Sequence, residues 1–158
     1  MDILSNRRWR VIVVLLIPVL VGFGPCTTGP RWLQQMPGGV VNGEAVSGNI
    51  GDWSFVADAG LCALETRLDF PHSITVYCFN EGPKLYVGCM GCEGKVWSRY
   101  VTNDNRARIK IADKVYPVTM NRIDDQDELK VLWNMRQSGR ETSRPLPQSY
   151  WLFELTSR

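Results

Sequence analysis

The strongest constraint on the fold of this chain is an alternating segment that runs into a turn signal. From Ser73 to Phe79 the residues alternate in the way expected of a strand with two different faces. The next four residues, Asn80-Glu81-Gly82-Pro83, are of the types that favour turns. Lys84–Gly88 then has the composition of a second strand, so residues 73–88 predict a β-hairpin.

The rest of the C-terminal two thirds likewise consists of short strand-like segments separated by turn residues. Four further strands are predicted, at Leu61–Leu68, Arg106–Ile111, Val115–Met120 and Tyr150–Leu155. Asp52–Val56 is expected to be a strand or to lead into one. Pro117 places its strand at an edge or a bulge, because proline has no N–H to donate. Trp97–Val101 is compatible with either a strand or one turn of helix.

One helix is predicted in the C-terminal half. Asp124 or Asp125 can cap it, acidic residues occupy its first turn, and Gly139 lies beyond its expected end at Gln137. Leu129, Leu132 and Trp133 give this helix one apolar side.

The N-terminus predicts export or membrane attachment. Arg7, Arg8 and Arg10 precede the uncharged run Val11–Phe23, which is typical of both a signal peptide and a membrane anchor. Residues 1–29 are therefore interpreted as one or the other, with residues 9–26 contacting the membrane. Because arginines stay on the cytoplasmic side, the following domain is expected on the non-cytoplasmic side. Residues 30–48, rich in glycine and proline, are interpreted as a linker to a domain at 49–158.

Composition excludes some classes of protein. With 44% hydrophobic and 22% charged residues, the chain has the make-up of a globular domain. Its net charge is +2, and no basic cluster follows Arg10, so nucleic acid is not an expected partner.

The cysteines leave several interpretations open. Cys89-Met90-Gly91-Cys92 can hold a disulfide or a redox pair in an oxidising compartment, or two small side chains that pack in a tight loop. A structural metal site is not predicted, because a matching second pair is absent and the chain has one histidine.

The order of hairpin, glycine loop, hairpin, helix and final strand resembles the split β-barrel superfamily. Leu85–Gly88, Trp97–Val101 and Ala107–Ile111 are most similar, with Lys114–Val118 as the return strand and Trp151–Leu155 as the last strand. This superfamily includes the pyridoxamine-phosphate-oxidase-like flavoproteins and the deazaflavin-dependent nitroreductases. The resemblance implies a mainly β (α+β) split barrel with one helix in its C-terminal half, behind an N-terminal hydrophobic helix. It also implies a homodimer.

The resemblance further implies a site for FMN or a deazaflavin. The candidate cofactor-binding residues are Arg67, His72, Ser73, Lys95, Trp97 and Arg99. Cationic side chains suit a phosphate and an indole suits stacking on a ring. The alternative is that Trp97 belongs to the core, that Lys95 and Arg99 are solvated, and that His72 is a turn residue.

Two functions remain open at this point. The first is a membrane-tethered oxidoreductase that uses a flavin or deazaflavin to act on a small acceptor. The second is a cofactor-free, non-catalytic domain that serves binding or assembly outside the cytoplasm. The catalytic residues are not predicted.

Overall fold

The computed structural model describes residues 38–56, 60–137 and 144–158. Its elements are β1 (Glu44–Ala45), a 3-10 helix (Ser54–Val56), β2 (Leu61–Thr66), β3 (His72–Glu81), β4 (Lys84–Met90), a second 3-10 helix (Cys92–Gly94), α1 (Val96–Asn103), β5 (Arg106–Ile111), β6 (Lys114–Arg122), α2 (Gln126–Gln137) and β7 (Tyr150–Ser157). The protein is therefore mainly β, and the predicted hairpin at residues 73–88 is confirmed as β3 and β4.

Six strands close into a barrel. Antiparallel pairs connect β6, β5, β2, β3, β4 and β7 in that order, and β7 pairs back with β6. β1 runs parallel to the start of β6, opposite Lys114 and Val115, whereas β7 pairs with β6 from Val118 onward. Pro117 lies between these two pairings, at a position where the strand needs no N–H donor on that side.

The barrel interior is the main core. It receives alternate residues from each strand, including the fully buried Leu64, Leu85 and Ile109, which are 0% exposed. Trp53 and Val56 also belong to this cluster. Of the two alternatives for this segment, it is a lead-in to β2 and not a strand: Ser54–Val56 forms a 3-10 helix, and the Asp52 carboxylate accepts hydrogen bonds from both the N–H and the hydroxyl of Ser54 at its start.

Helix α2 packs on the outside of the barrel. Its predicted apolar side is confirmed, since Leu129, Leu132 and Trp133 are buried against Tyr86 and Leu152. The Asp125 carboxylate caps the helix, accepting hydrogen bonds from two backbone N–H groups of the first turn at 2.9 and 2.8 Å.

The prediction of a single helix was wrong, because the described residues contain a second one, α1. Trp97, Ser98 and Val101 are its buried residues. The ambiguity of Trp97–Val101 has a geometric cause: a spacing of four places two side chains on one face of a helix and equally on one face of a strand. The Ser98 hydroxyl lies within hydrogen-bond distance of two preceding carbonyl oxygens, that of Cys92 at 2.5 Å and that of Lys95 at 2.8 Å, and so connects the first turn of the helix to the 3-10 helix before it.

Part of the segment interpreted as a linker is bonded to the barrel. Gly38 and Ser73 exchange two backbone hydrogen bonds, and the Val41 N–H donates to the Glu65 carboxylate at 2.6 Å. Glu65 is 0% exposed and also accepts hydrogen bonds from Arg108 of β5. Residues 38–45 thus form a strap over the strands, fastened by the backbone bonds of Gly38, by the hydrogen bond from Val41 to the buried Glu65 carboxylate, and by β1.

The predictions for residues 1–29, including the hydrophobic helix, lie outside the described residues. Within the ranges that are described, neither α1 nor α2 is long and apolar enough to cross a membrane.

Candidate functional site

The turn between β2 and β3 positions the first candidate residues. Strand β2 ends at Thr66, and Arg67 follows with φ +54°, in the left-handed region that non-glycine residues rarely adopt. The Phe70 N–H donates to the Arg67 carbonyl at 2.9 Å and closes the turn. His72 then opens β3 opposite Thr66. Strained backbone of this kind is often kept at functional positions, at a cost on the order of 1–2 kcal/mol.

Tyr100 of α1 brings the side chains of Arg67 and His72 together. The Arg67 guanidinium donates a hydrogen bond to the Tyr100 hydroxyl at 3.2 Å and lies 5.0 Å from the centre of its ring. The His72 ring meets the same phenol edge-on, with ring centres 5.7 Å apart. Arg67 also lies 4.9 Å from the centre of the Phe70 ring, which is 70% exposed. The result is a cation held between aromatic rings and a hydroxyl.

A groove of about 370 Å³ adjoins this cluster. Its lining residues are Arg67, Asp69, Tyr100, Asn103 and Asp104. Asp104 is engaged by Arg106, whose Nε and Nη2 donate to both carboxylate oxygens at distances between 2.6 and 3.1 Å. These hydrogen bonds lower the pKa of Asp104 from 3.8 to about 2. Its charge is therefore largely compensated within the protein.

The other predicted residues occupy different surroundings. The backbone N–H and carbonyl of Ser73 are hydrogen-bonded to Gly38. Lys95 lies at the N-terminus of α1, about 7.5 Å along the helix axis from Tyr100. Trp97 is 5% exposed and packs in the core, 5.6 Å from the Phe153 ring. Arg99 is exposed on α1. The structure thus joins Arg67 to His72 but does not join either of them to Trp97.

The cysteine pair forms a disulfide. Cys89 closes onto Cys92 around Gly91, whose φ is +61°, with the two Cα atoms 5.6 Å apart. The residues are 4% and 0% exposed, so a partner thiol has little access to the sulfurs, and the bond acts as a staple between β4 and the following 3-10 helix.

A second disulfide, Cys62–Cys78, was missed by sequence reasoning. Cys62 of β2 lies opposite Val76 of β3, so Cys78 is its diagonal neighbour on the inward face. The sequence signal that could have indicated this disulfide is the short turn at residues 67–71, which sets the register of β2 against β3 and so the position of Cys78 relative to Cys62. In the parts of the chain that are described, no group of three His, Cys, Asp or Glu side chains could hold a metal ion.

The barrel topology and this site define a class of fold, the split β-barrel. No protein-family model matches the chain, and no curated protein matches it either.

Solved structures agree on the fold. The chain is similar to a proposed 5-nitroimidazole antibiotic resistance protein from Bacteroides thetaiotaomicron, with a TM-score of 0.52 and 12% identity over 78% of this chain and 85% of that chain. It is also similar to a proposed pyridoxamine 5'-phosphate oxidase from Listeria innocua, with a TM-score of 0.50 and 13% identity over 63% of this chain and 84% of that chain. At these identities the likeness establishes the fold and not the activity.

Proposed function

We propose that this chain is a membrane-tethered split-barrel protein that binds FMN or a deazaflavin on the non-cytoplasmic side and passes electrons to a small acceptor. The observation that carries the proposal is Arg67, a guanidinium oriented by Tyr100 and Phe70 and not neutralised by a carboxylate among the described residues. An arginine held in this way keeps its charge available for a phosphate.

The side chains at the groove fit the phosphate of such a cofactor. Arg67 offers a planar fork of donors, His72 an imidazole and Tyr100 a hydroxyl, all in contact through one phenol ring. The stacking face does not come from the buried Trp97, and the exposed ring of Phe70 is the available substitute. Bound flavin would supply the hydride or electron transfer. The chain's own part would be to hold the anion and to orient the ring.

Binding of FMN tests this proposal. The full chain would be purified, its visible absorption recorded, and FMN and a deazaflavin titrated while ligand fluorescence is followed. Arg67→Asn should weaken binding roughly tenfold to a hundredfold, the equivalent of one charge-assisted hydrogen bond. Its stability should stay within about 1 kcal/mol of wild type, because asparagine tolerates the left-handed conformation that strains arginine.

Lys114→Gln is the matched control, since it removes one positive charge from the tip of the β5–β6 hairpin, outside the groove. It should leave FMN affinity unchanged. Saturable binding that Arg67→Asn and Lys114→Gln affect equally would contradict the assignment of the site. No saturable binding of either cofactor at micromolar concentration would contradict the cofactor-dependent function itself.

A cofactor-free binding or assembly domain is the second candidate, and two observations favour it. Trp97 lies in the core, and the groove beside Arg67 is also lined by Asp69, whose negative charge opposes a phosphate. If neither cofactor binds, this function takes precedence.

The proposed location rests on the arginines before Val11–Phe23 and is supported by the two disulfides, which persist in oxidising compartments. Deleting residues 1–29 should move the protein from the membrane fraction to the soluble fraction. Full-length protein that is already soluble in the cytoplasm would refute the proposal. The homodimer implied by the split-barrel resemblance is also proposed, and light scattering of the purified protein would test it.

A further inference from the structure

A second cavity lies at the C-terminal end of α2. Its volume is about 430 Å³, within the range of small-molecule sites. The apolar part of its lining is Met90, Trp133, Pro145 and Pro147, and its cationic part is Arg136 and Arg144. It shares no lining residue with the groove at Arg67.

Arg136 is the central cation of this cavity. Its Nη1 donates to the Tyr150 hydroxyl at 2.9 Å, and its guanidinium carbon lies 4.9 Å from the centre of the Tyr77 ring and 5.6 Å from that of Phe79. Its Nε is buried and has no hydrogen-bond partner in the described part of the protein. An unsatisfied buried donor costs on the order of 1–3 kcal/mol, so the described neighbours of this guanidinium do not satisfy it fully.

Gly88 of β4 provides the room for this arrangement. A Cβ atom at that position would lie 2.3 Å from the Tyr150 hydroxyl and 2.7 Å from Nη1 of Arg136. Both groups therefore rest directly against the backbone of β4, and a residue with a side chain would displace them. The absence of a side chain at Gly88 thus determines where the Arg136 guanidinium lies.

The buried side-chain amide of Gln137 fixes the backbone of Arg144, the second cationic residue of the cavity. The Gln137 side chain, 4% exposed, donates to the Arg144 carbonyl at 2.8 Å and accepts from the Arg144 N–H at 3.2 Å. The Trp133 indole donates to the same carbonyl at 2.8 Å. The Arg144 backbone is thereby fixed at the cavity, and the exposed Arg144 side chain pairs with no described carboxylate. A fixed backbone lowers part of the entropic cost of binding.

From these contacts we propose that the cavity binds a small organic anion: a carboxylate or another oxyanion head on a flat apolar body. The head group would bridge Arg136 and Arg144, two cations with no described acid in the cavity lining to compete. The body would contact Trp133, Met90 and the two prolines. Arginine forks match planar oxyanions in particular, and aromatic and apolar walls supply the remaining affinity.

The test is calorimetric titration of the full chain with 2-naphthoate and with its neutral analogue 2-naphthalenemethanol. Wild type should bind the carboxylate at least about tenfold more tightly than the alcohol. Arg144→Gln should remove most of that preference while the fold is retained, because the clamp uses the backbone of residue 144. Arg136→Gln should remove it as well, with near-UV circular dichroism as the check on folding.

Two controls make the outcome specific. Lys114→Gln should bind the carboxylate like wild type, and so should Arg67→Asn, whose site is separate. Equal binding of carboxylate and alcohol, or a preference that survives in Arg144→Gln, would overturn the proposal. Inorganic phosphate that competes as strongly as the naphthoate would overturn the role assigned to the apolar body. Since FMN is not used, failure of the flavin proposal would not affect this result.

Discussion

Replacing Glu65 with alanine should destabilise the protein more than any other single loss of charge in the described structure. Glu65 is 0% exposed, on the outward side of β2, where the strap of residues 38–45 covers it. One carboxylate oxygen accepts from Nε and Nη2 of Arg108, and the other accepts the Val41 N–H at 2.6 Å. Alanine removes both acceptor oxygens and with them all three hydrogen bonds, and it leaves a partly buried guanidinium behind.

The expected size follows from burial. Breaking a buried ion pair by removing one partner costs about 3–5 kcal/mol. Because the Arg108 side chain is 35% exposed and can regain water, the lower end applies, about 3 kcal/mol. Glu65→Gln keeps the shape and one acceptor, so it should cost less, roughly 1–2 kcal/mol.

Urea denaturation followed by tryptophan fluorescence would measure these values, and urea leaves ion pairs unscreened. A double-mutant cycle with Arg108→Met should give a coupling energy of about 1–3 kcal/mol. Lys84→Gln is the control, because it breaks the exposed Lys84–Glu154 pair, at 3.0 Å, and should cost less than about 1 kcal/mol. A loss in Glu65→Ala no larger than in Lys84→Gln would refute the importance of the strap.

Three other predictions concern stability. Hydrogen bonds from Arg106 lower the pKa of Asp104 in the folded state to about 2. Their contribution to the free energy of unfolding is therefore fully present above the unfolded pKa of 3.8 and is lost as pH falls through about 2. In acid-unfolding curves the stability difference between wild type and Asp104→Asn should shrink over that pH window. Gly88→Ala should cost about 1–3 kcal/mol in thermal unfolding through overpacking, and no loss would contradict the close approach. The double variant Cys62→Ala/Cys78→Ala removes a disulfide that closes a loop with a sequence separation of 16, and its free energy of unfolding should fall by about 3 kcal/mol. Alkylation of both thiols in native wild-type protein without prior reduction would show that no such bond forms.

Much of the barrel could be predicted from local pattern. The β3–β4 hairpin, the β5 strand and the apolar side of α2 each follow from a periodicity of two or of three to four residues. The two segments that the sequence left open between alternatives, α1 and Ser54–Val56, are short. At such lengths the periodicities of a helix and a strand differ too little to choose between them.

The candidate sites were less accessible to sequence reasoning. Arg67 and His72 could be proposed from the split-barrel resemblance, but Tyr100 joins them only once α1 is known to be a helix. Glu65 sits in an apolar strand with no local sign of its partners, since Val41 and Arg108 are 24 and 43 residues away. Contacts at such separations depend on strand order, which the sequence pattern left undetermined.

Five arginines of this barrel fall into two groups that differ in how their charge is held. Arg106, Arg108 and Arg122 each pair with a carboxylate, and Arg122 does so with Asp124 at 3.0 Å even though it also stacks 3.8 Å from the Trp151 ring. Arg67 and Arg136 are held by rings and phenol hydroxyls, and neither forms an ion pair with a described carboxylate. Stacking orients a guanidinium without cancelling its charge, whereas an ion pair does both. Arg67 and Arg136 each line a cavity, so each cavity offers an anion a positive charge that no described ion pair compensates, and Arg122→Gln should leave anion binding at both unchanged.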